Sequence, residues 1–132
     1  MRKTNTAMAI CLAILLVASF GMAQSHSVRG KIPFEFNAGG TVLSAGEYDF
    51  VYDASKTYLS VRGGEKKQSI FVPIVTLLAG ATHTTPRDAH VVFDKIGNNY
   101  FLSEIWISGI DGIDLLSTKE KHSHEVVNIP NQ

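Results

Sequence analysis

Residues 90–109 (HVVFDKIGNNYFLSEIWISG) carry two runs of β-branched and aromatic residues on either side of Gly97-Asn98-Asn99. Glycine and asparagine tolerate the positive φ angles of a tight two-residue turn, so the segment predicts an antiparallel hairpin. With Asn98-Asn99 as the turn, Ile96 faces Phe101, Asp94 faces Ser103 and Val92 faces Ile105. The other face then holds Val91, Phe93, Leu102 and Trp106, with Lys95 and Glu104 as a diagonal pair of opposite charge. A slip of one residue would set Lys95 against Phe101 and invert the faces, which favours the first register. Both faces are largely apolar, which places the hairpin in the middle of the molecule.

The chain ahead of the hairpin reads in the same period. In residues 27–37 (SVRGKIPFEFN), Val28, Ile32, Phe34 and Phe36 alternate with Arg29, Lys31 and Glu35, the pattern of a half-buried strand. Pro33 cannot donate to a ladder and marks an edge or a bulge. Ala38-Gly39-Gly40 breaks the strand, residues 41–43 predict a short pairing, and Ser44-Ala45-Gly46 predicts a second turn. Tyr48, Phe50 and Tyr52 oppose Glu47, Asp49 and Asp53 in the next run, and Leu59 and Val61 are the apolar members of the one after. Residues 68–78 (QSIFVPIVTLL) are continuously apolar, as in a strand covered on both faces, yet Pro73 again points to an edge. Residues 79–89 read as a loop with one helical turn after Pro86, and 108–114 as another loop. Leu115-Leu116 suggests a last short strand. From about Ser117 the chain turns polar: either a short helix capped by Ser117 with Glu120, or a frayed tail. About six to eight short strands at this spacing predict an all-β domain, an antiparallel sandwich or a small barrel, and periodicity does not choose between them.

The first 23 residues have a different character. Arg2 and Lys3 precede the apolar run 7–20, and Gly21-Met22-Ala23 supplies small residues for signal-peptidase cleavage before Gln24. The run is shorter than the ~20 residues of a spanning helix, so the expectation is a cleaved leader and no membrane anchor afterwards. Cys11, the single cysteine, lies inside the run with apolar residues still following, unlike a lipoprotein acceptor. A domain spanning 24–132 would therefore be exported without a disulfide, and a chain of roughly 110 residues buries enough surface to do so. Acidic and basic residues balance at twelve each, and losing Arg2 and Lys3 tips the remainder slightly acidic. No basic patch or polybasic segment is present, so neither nucleic acid nor a charged membrane surface is an expected partner.

Ile32-Pro33-Phe34-Glu35-Phe36, followed by Gly40, Leu43 and Ala45-Gly46-Glu47-Tyr48, resembles the opening of a family of small secreted bacterial proteins frequent in acidobacterial genomes. Phe93, Gly97 and Tyr100-Phe101-Leu102-Ser103-Glu104-Ile105-Trp106 resemble its second signature. The chain departs from the pattern at Ser44, where the family tends to have proline, and residues 53–87 match only in general character. The resemblance implies export and a β-rich domain. It implies no catalytic residue.

His122-Ser123-His124-Glu125 is the one cluster with ligand character. Imidazoles two apart can meet one metal on an extended segment, with Glu125, His83 or His90 completing the set. On a helix they would diverge, and in a polar tail solvated histidines are the default. Asp111-Gly112-Ile113-Asp114 lacks the oxygen count of a calcium loop and reads as a turn. No Gly-x-Ser-x-Gly elbow is present, and nothing singles out two carboxylates for glycoside chemistry. The aromatic set Tyr48, Tyr52, Tyr58, Tyr100 and Trp106 is expected in the core. These observations predict a non-enzymatic domain without a cofactor, working in the periplasm or outside the cell by contact with an envelope protein or an extracellular surface. The alternative is a carrier holding a small apolar ligand inside a barrel.

Overall fold

In the computed structural model, which describes residues 25–78 and 89–130, every alternating run of the sequence is a β-strand. The expected leader, His83 and the turn after Pro86 lie outside the described residues. The strands are β1 (Ser25–Ile32), β2 (Phe36–Ala38), β3 (Thr41–Leu43), β4 (Gly46–Asp53), β5 (Tyr58–Gly63), β6 (Gln68–Pro73), β7 (Thr76–Leu78), β8 (His90–Ile96), β9 (Asn99–Trp106), β10 (Gly112–Asp114) and β11 (Ser123–Asn128). The all-β expectation holds. The strand number exceeds it because β2, β3, β7 and β10 are three-residue pieces. Among the described residues there is no helix, and so none long and apolar enough to cross a membrane.

Two sheets result. One has the order β1-β4-β5-β6; the other runs β11-β8-β9-β10-β7, with β2 and β3 attached through a parallel pairing of Asn37 with Phe101. Their curled faces enclose one core in the manner of a half-open barrel. Three ribbons pass from the first sheet into the second. The β1–β4 pair continues as β2–β3, with Ile32 opposite Gly46 before the bend and Phe36 opposite Leu43 after it. Pro33 lies at that bend, where no ladder needs its missing N–H. The tight turn closing this long hairpin is Gly39-Gly40, both left-handed (φ 57° and 88°), as a two-residue turn of the twisted type requires. Ser44-Ala45 is therefore a corner and not the turn expected there.

The third ribbon is residues 68–78. Its apolar run is not covered on both faces. β6 ends the first sheet and β7 the second, so the ribbon is an edge shared by both. Val72 points inward while Phe71 and Pro73 point outward.

The core gathers Ile32, Phe36, Phe50, Leu59, Phe93 and Ile105, all almost completely buried. Edge-to-face rings tie the layers together, Phe93 meeting Phe34 at 4.9 Å and Phe36 at 5.2 Å between centroids. Tyr48 is buried too, and its hydroxyl donates to the Ser44 carbonyl at 2.6 Å. On the wet side of the first sheet Arg29 lies directly opposite Asp49 and makes a two-pronged pair at 2.7 and 3.1 Å. That pair holds the Asp49 carboxyl below its ordinary range.

The central hairpin forms with a corrected register. Its turn is Gly97-Asn98, with Ile96 opposite Asn99 and Phe93 opposite Leu102. Only Gly97 takes a positive φ (62°), the pattern of a turn with glycine in first place. Near the turn the displacement is two residues, so each side chain keeps its expected face. Beyond it a bulge changes this: Val92 pairs with Glu104, leaving Ser103 as the extra residue. Ile105 moves to the core, and Glu104 and Trp106 move to the opposite side of the sheet. The Lys95–Glu104 pair does not form; the Lys95 ammonium lies over the Tyr100 ring instead, 5.5 Å from its centroid.

The polar C-terminal region is neither a helix nor a frayed tail. Residues 123–128 are β11, paired antiparallel to β8 from Ser123–Lys95 to Asn128–His90. Val127 packs against the core and Ile129 is buried in it, with its N–H donating to the Ala89 carbonyl at 3.0 Å. The expected loop 108–114 is likewise shortened: Gly112–Asp114 pair with both β7 and β9.

Candidate functional site

The face of the second sheet turned away from the core is built by alternation and by the bulge. On β8, Phe93 faces inward, so Asp94 and Val92 face outward, as does His90. The bulge brings Glu104 and Trp106 onto the same side. There the Trp106 indole stacks on His90 with ring centroids 5.7 Å apart, and its Nε1–H donates to Glu104 at 3.0 Å. Asp114 on β10 lies opposite Glu104. A Cβ on Gly112 would stand 2.7 Å from the indole ring, so only glycine lets β10 approach it. Burial, with the charges of Glu104 and Asp94 adding to it, pushes the Asp114 carboxyl above its ordinary value. Three carboxylates thus share one side of a three-strand patch.

β10 and β11 lie on opposite sides of the β8–β9 pair, so residues 115–122 must cross those two strands. The crossing delivers His122 to Asp94, with Nε2 at 3.7 Å from Oδ2. His124 arrives by register, directly opposite Asp94, with Nδ1 at 3.1 Å from Oδ1. The rings stand nearly perpendicular, 5.0 Å apart. The Asp94 carboxylate is 3 % exposed, His122 24 % and His124 57 %, so the cluster is closed at the acid and open at the imidazoles.

Of the residues with ligand character in the sequence, His122 and His124 come together because their segment is extended. Glu125 does not join them; it pairs opposite Phe93, on the other face of β11. Its place is taken by Asp94, which the alternating pattern presents as one more polar position of a hairpin. His90 stacks on Trp106 within the same face but is not in the donor set, and His83 lies outside the described residues. Nothing local in the sequence joins Asp94 to residues about thirty positions later. Only the pairing of β11 with β8 does so.

The second feature is the shared edge. Phe71 is 59 % exposed on β6 and meets Tyr58 edge-to-face at 4.8 Å; Val75 and Leu77 are further exposed apolar side chains toward and along β7, Leu77 on the same side of the sheet as its partner Ile113. Among the described residues no strand pairs with the outer side of β6 or β7. The other tyrosines do not form a common face. Tyr48 and Trp106 are buried, and Tyr100 stacks on Phe34 at 3.9 Å beside an open groove at the hairpin turn. The space between the sheets is filled by Phe36, Phe50 and Phe93.

No protein-family model, no curated protein and no solved structure matches the chain.

Proposed function

We propose that the protein is an exported, non-enzymatic β-domain that acts by contact with another envelope component or an extracellular surface, using the β6–β7 ribbon. Phe71 carries this reading. A large aromatic ring left mostly in water on the end strand of a sheet loses the free energy of burial, about 1.5–3 kcal/mol, that a partner would restore. Among the described residues no strand pairs with the outer edge of this ribbon in either sheet. An extended segment of a partner protein can add there as a further strand, with its side chains against Phe71 and Val75. The basic–apolar–small-residue pattern of residues 1–23 supports export to the periplasm or beyond. The carrier alternative is the weaker reading, because aromatic rings occupy the interior that a ligand would need.

A photoreactive amino acid at position 71, compared with one at position 29 on the polar face, tests the proposal in intact cells. A single partner adduct at 71 and none at 29 is the expected result. Adducts of the same pattern at both positions, or none at either, would overturn it, and an adduct of twice the protein's mass would identify the partner as a second copy. The mass of the protein recovered from the envelope should begin at Gln24.

A further inference from the structure

We infer that Asp94, His122 and His124 form a binding site for a divalent transition-metal ion of the zinc class. This goes beyond the contact role and does not depend on it.

The donor set comes first. Two imidazole nitrogens and one carboxylate oxygen are the ligands of open zinc sites, and all three donor atoms lie within 4.8 Å of one another. Bonds of about 2.0–2.2 Å in a tetrahedral arrangement put ligand atoms roughly 3.4 Å apart. The separations of 3.1 Å from His124 Nδ1 to Oδ1 and 3.7 Å from His122 Nε2 to Oδ2 run to the two oxygens of the one carboxylate and lie either side of that distance.

The second observation is independent of the clustering. Among the described residues, Asp94 Oδ1 is buried and has no hydrogen-bond partner. His124 Nδ1 is 3.1 Å away, yet the two atoms are not aligned as donor and acceptor. A buried carboxylate oxygen left in this state is costly, and a cation between the two atoms removes the cost. His122 shows the complementary feature. Its Nδ1 lies 2.7 Å from the Glu120 carbonyl, which can only accept, so Nδ1 carries the proton. In the neutral ring the lone pair is then on Nε2, aimed toward Asp94. Histidines that bind metals are oriented by just such a bond from the other ring nitrogen to a carbonyl.

The surroundings favour a positive ion. Glu104 and Asp114 stand on the same face, and the groups that ion-pair with Asp94 among the described residues are the two imidazoles. The exposure of His124 gives an ion a way in from solvent. Because His122 and His124 belong to the crossing segment and to β11, while Asp94 belongs to β8, a bound ion would pin the end strand to the sheet.

Calorimetric titration of the chelator-stripped full protein with Zn²⁺ tests the site, with Co²⁺ as an optical probe and Ca²⁺ and Mg²⁺ as hard-ion controls. The expected result is one ion per chain, a visible cobalt band of four-coordinate intensity, and no binding of the hard ions. At a hundredfold excess over the dissociation constant, Zn²⁺ should raise the melting midpoint by on the order of 10 °C. His122→Gln and His124→Gln sit at the exposed side and should fold normally while weakening affinity roughly a hundredfold. His26→Gln should leave affinity unchanged. Asp94→Asn should abolish binding; should it fail to fold, the two histidine variants still decide the matter. Absence of Zn²⁺ and Co²⁺ binding would overturn the proposal and leave the two imidazoles as contacts of Asp94 alone. Binding that survives the double His122→Gln/His124→Gln variant would overturn it equally.

Discussion

Asp114 shows how one side chain reports on the whole polar face. Its carboxyl is raised above the ordinary 3.8, first by burial and then by its acidic neighbours Glu104 and Asp94. Between its unfolded and its raised folded pKa, the native chain holds more protons than the unfolded one. Stability attributable to this group is therefore present at low pH and is lost as pH rises through that window. Asp49 works in the opposite sense and in a lower window. Its pKa is depressed by Arg29, so its contribution is present above the ordinary value and lost as pH falls through the folded one. Asp114→Asn keeps an oxygen for the Leu116 N–H and removes the repulsion. In metal-free buffer the variant should be at least as stable as wild type at neutral pH. It should also lack the wild type's decline above the ordinary carboxylate range, as followed by urea midpoints at several pH values. A lower midpoint at neutral pH would show that the Asp114 charge is stabilising. The acidic cluster was not legible from the residues alone. Asp94, Glu104 and Asp114 lie on three different strands, and strict alternation puts Asp94 and Glu104 on opposite faces of the hairpin. The bulge at Ser103 reverses that.

At the scale of single elements, β11 departs most from the sequence reading. Ser117 followed by Glu120 matches a capping box, but a box stabilises only a helix that has an apolar face to bury. Residues 117–125 have none. Val126 and Val127 come later, and the chain places them by alternation on the edge of β8. Docking is completed by Ile129, whose Cγ1 and Cδ1 lie over Gly30 at a distance that would crowd a Cβ there. Ile129→Ala should therefore cost about 2–4 kcal/mol by emptying a packed site. It should also speed hydrogen exchange along β8 between His90 and Ile96 more than along β4. Equal acceleration in both strands would show that β11 is not a separate cooperative unit. The ribbon 68–78 carries a similar lesson. Continuous apolarity predicted two covered faces, and Pro73 predicted an edge. The proline was the better guide, because a missing N–H cannot be tolerated inside a ladder, whereas an exposed Phe71 can be tolerated or used.

For the molecule as a whole, stability rests on one core shared by two curled sheets. Ribbons that change sheets at Pro33, Ser44 and Pro73 leave neither sheet able to close by itself. Phe93 is the central contact, since its ring touches both Phe34 at the corner and Phe36 on β2. Phe93→Ala should remove about 3–5 kcal/mol, a large share of the ~5–15 kcal/mol of a domain this size. Unfolding of the wild type followed by Trp106 fluorescence, which reports on the second sheet, should coincide with loss of the far-ultraviolet signal from both. Two separated transitions would mean that the sheets are independent units. What the amino-acid sequence by itself determined was the β class, the positions of the long strands ahead of the polar C-terminal region, and the inward side of β1, β4 and β5. Period-two alternation and glycine-bearing turns are local facts, settled by neighbours in the chain. The tertiary structure alone decided the hairpin's bulge, the conversion of a polar tail into an end strand, and the meeting of Asp94 with His122 and His124. Each of those depends on which strand lies beside which, and pairing between distant segments is fixed by the packing of the shared core, a property that no single stretch of sequence contains.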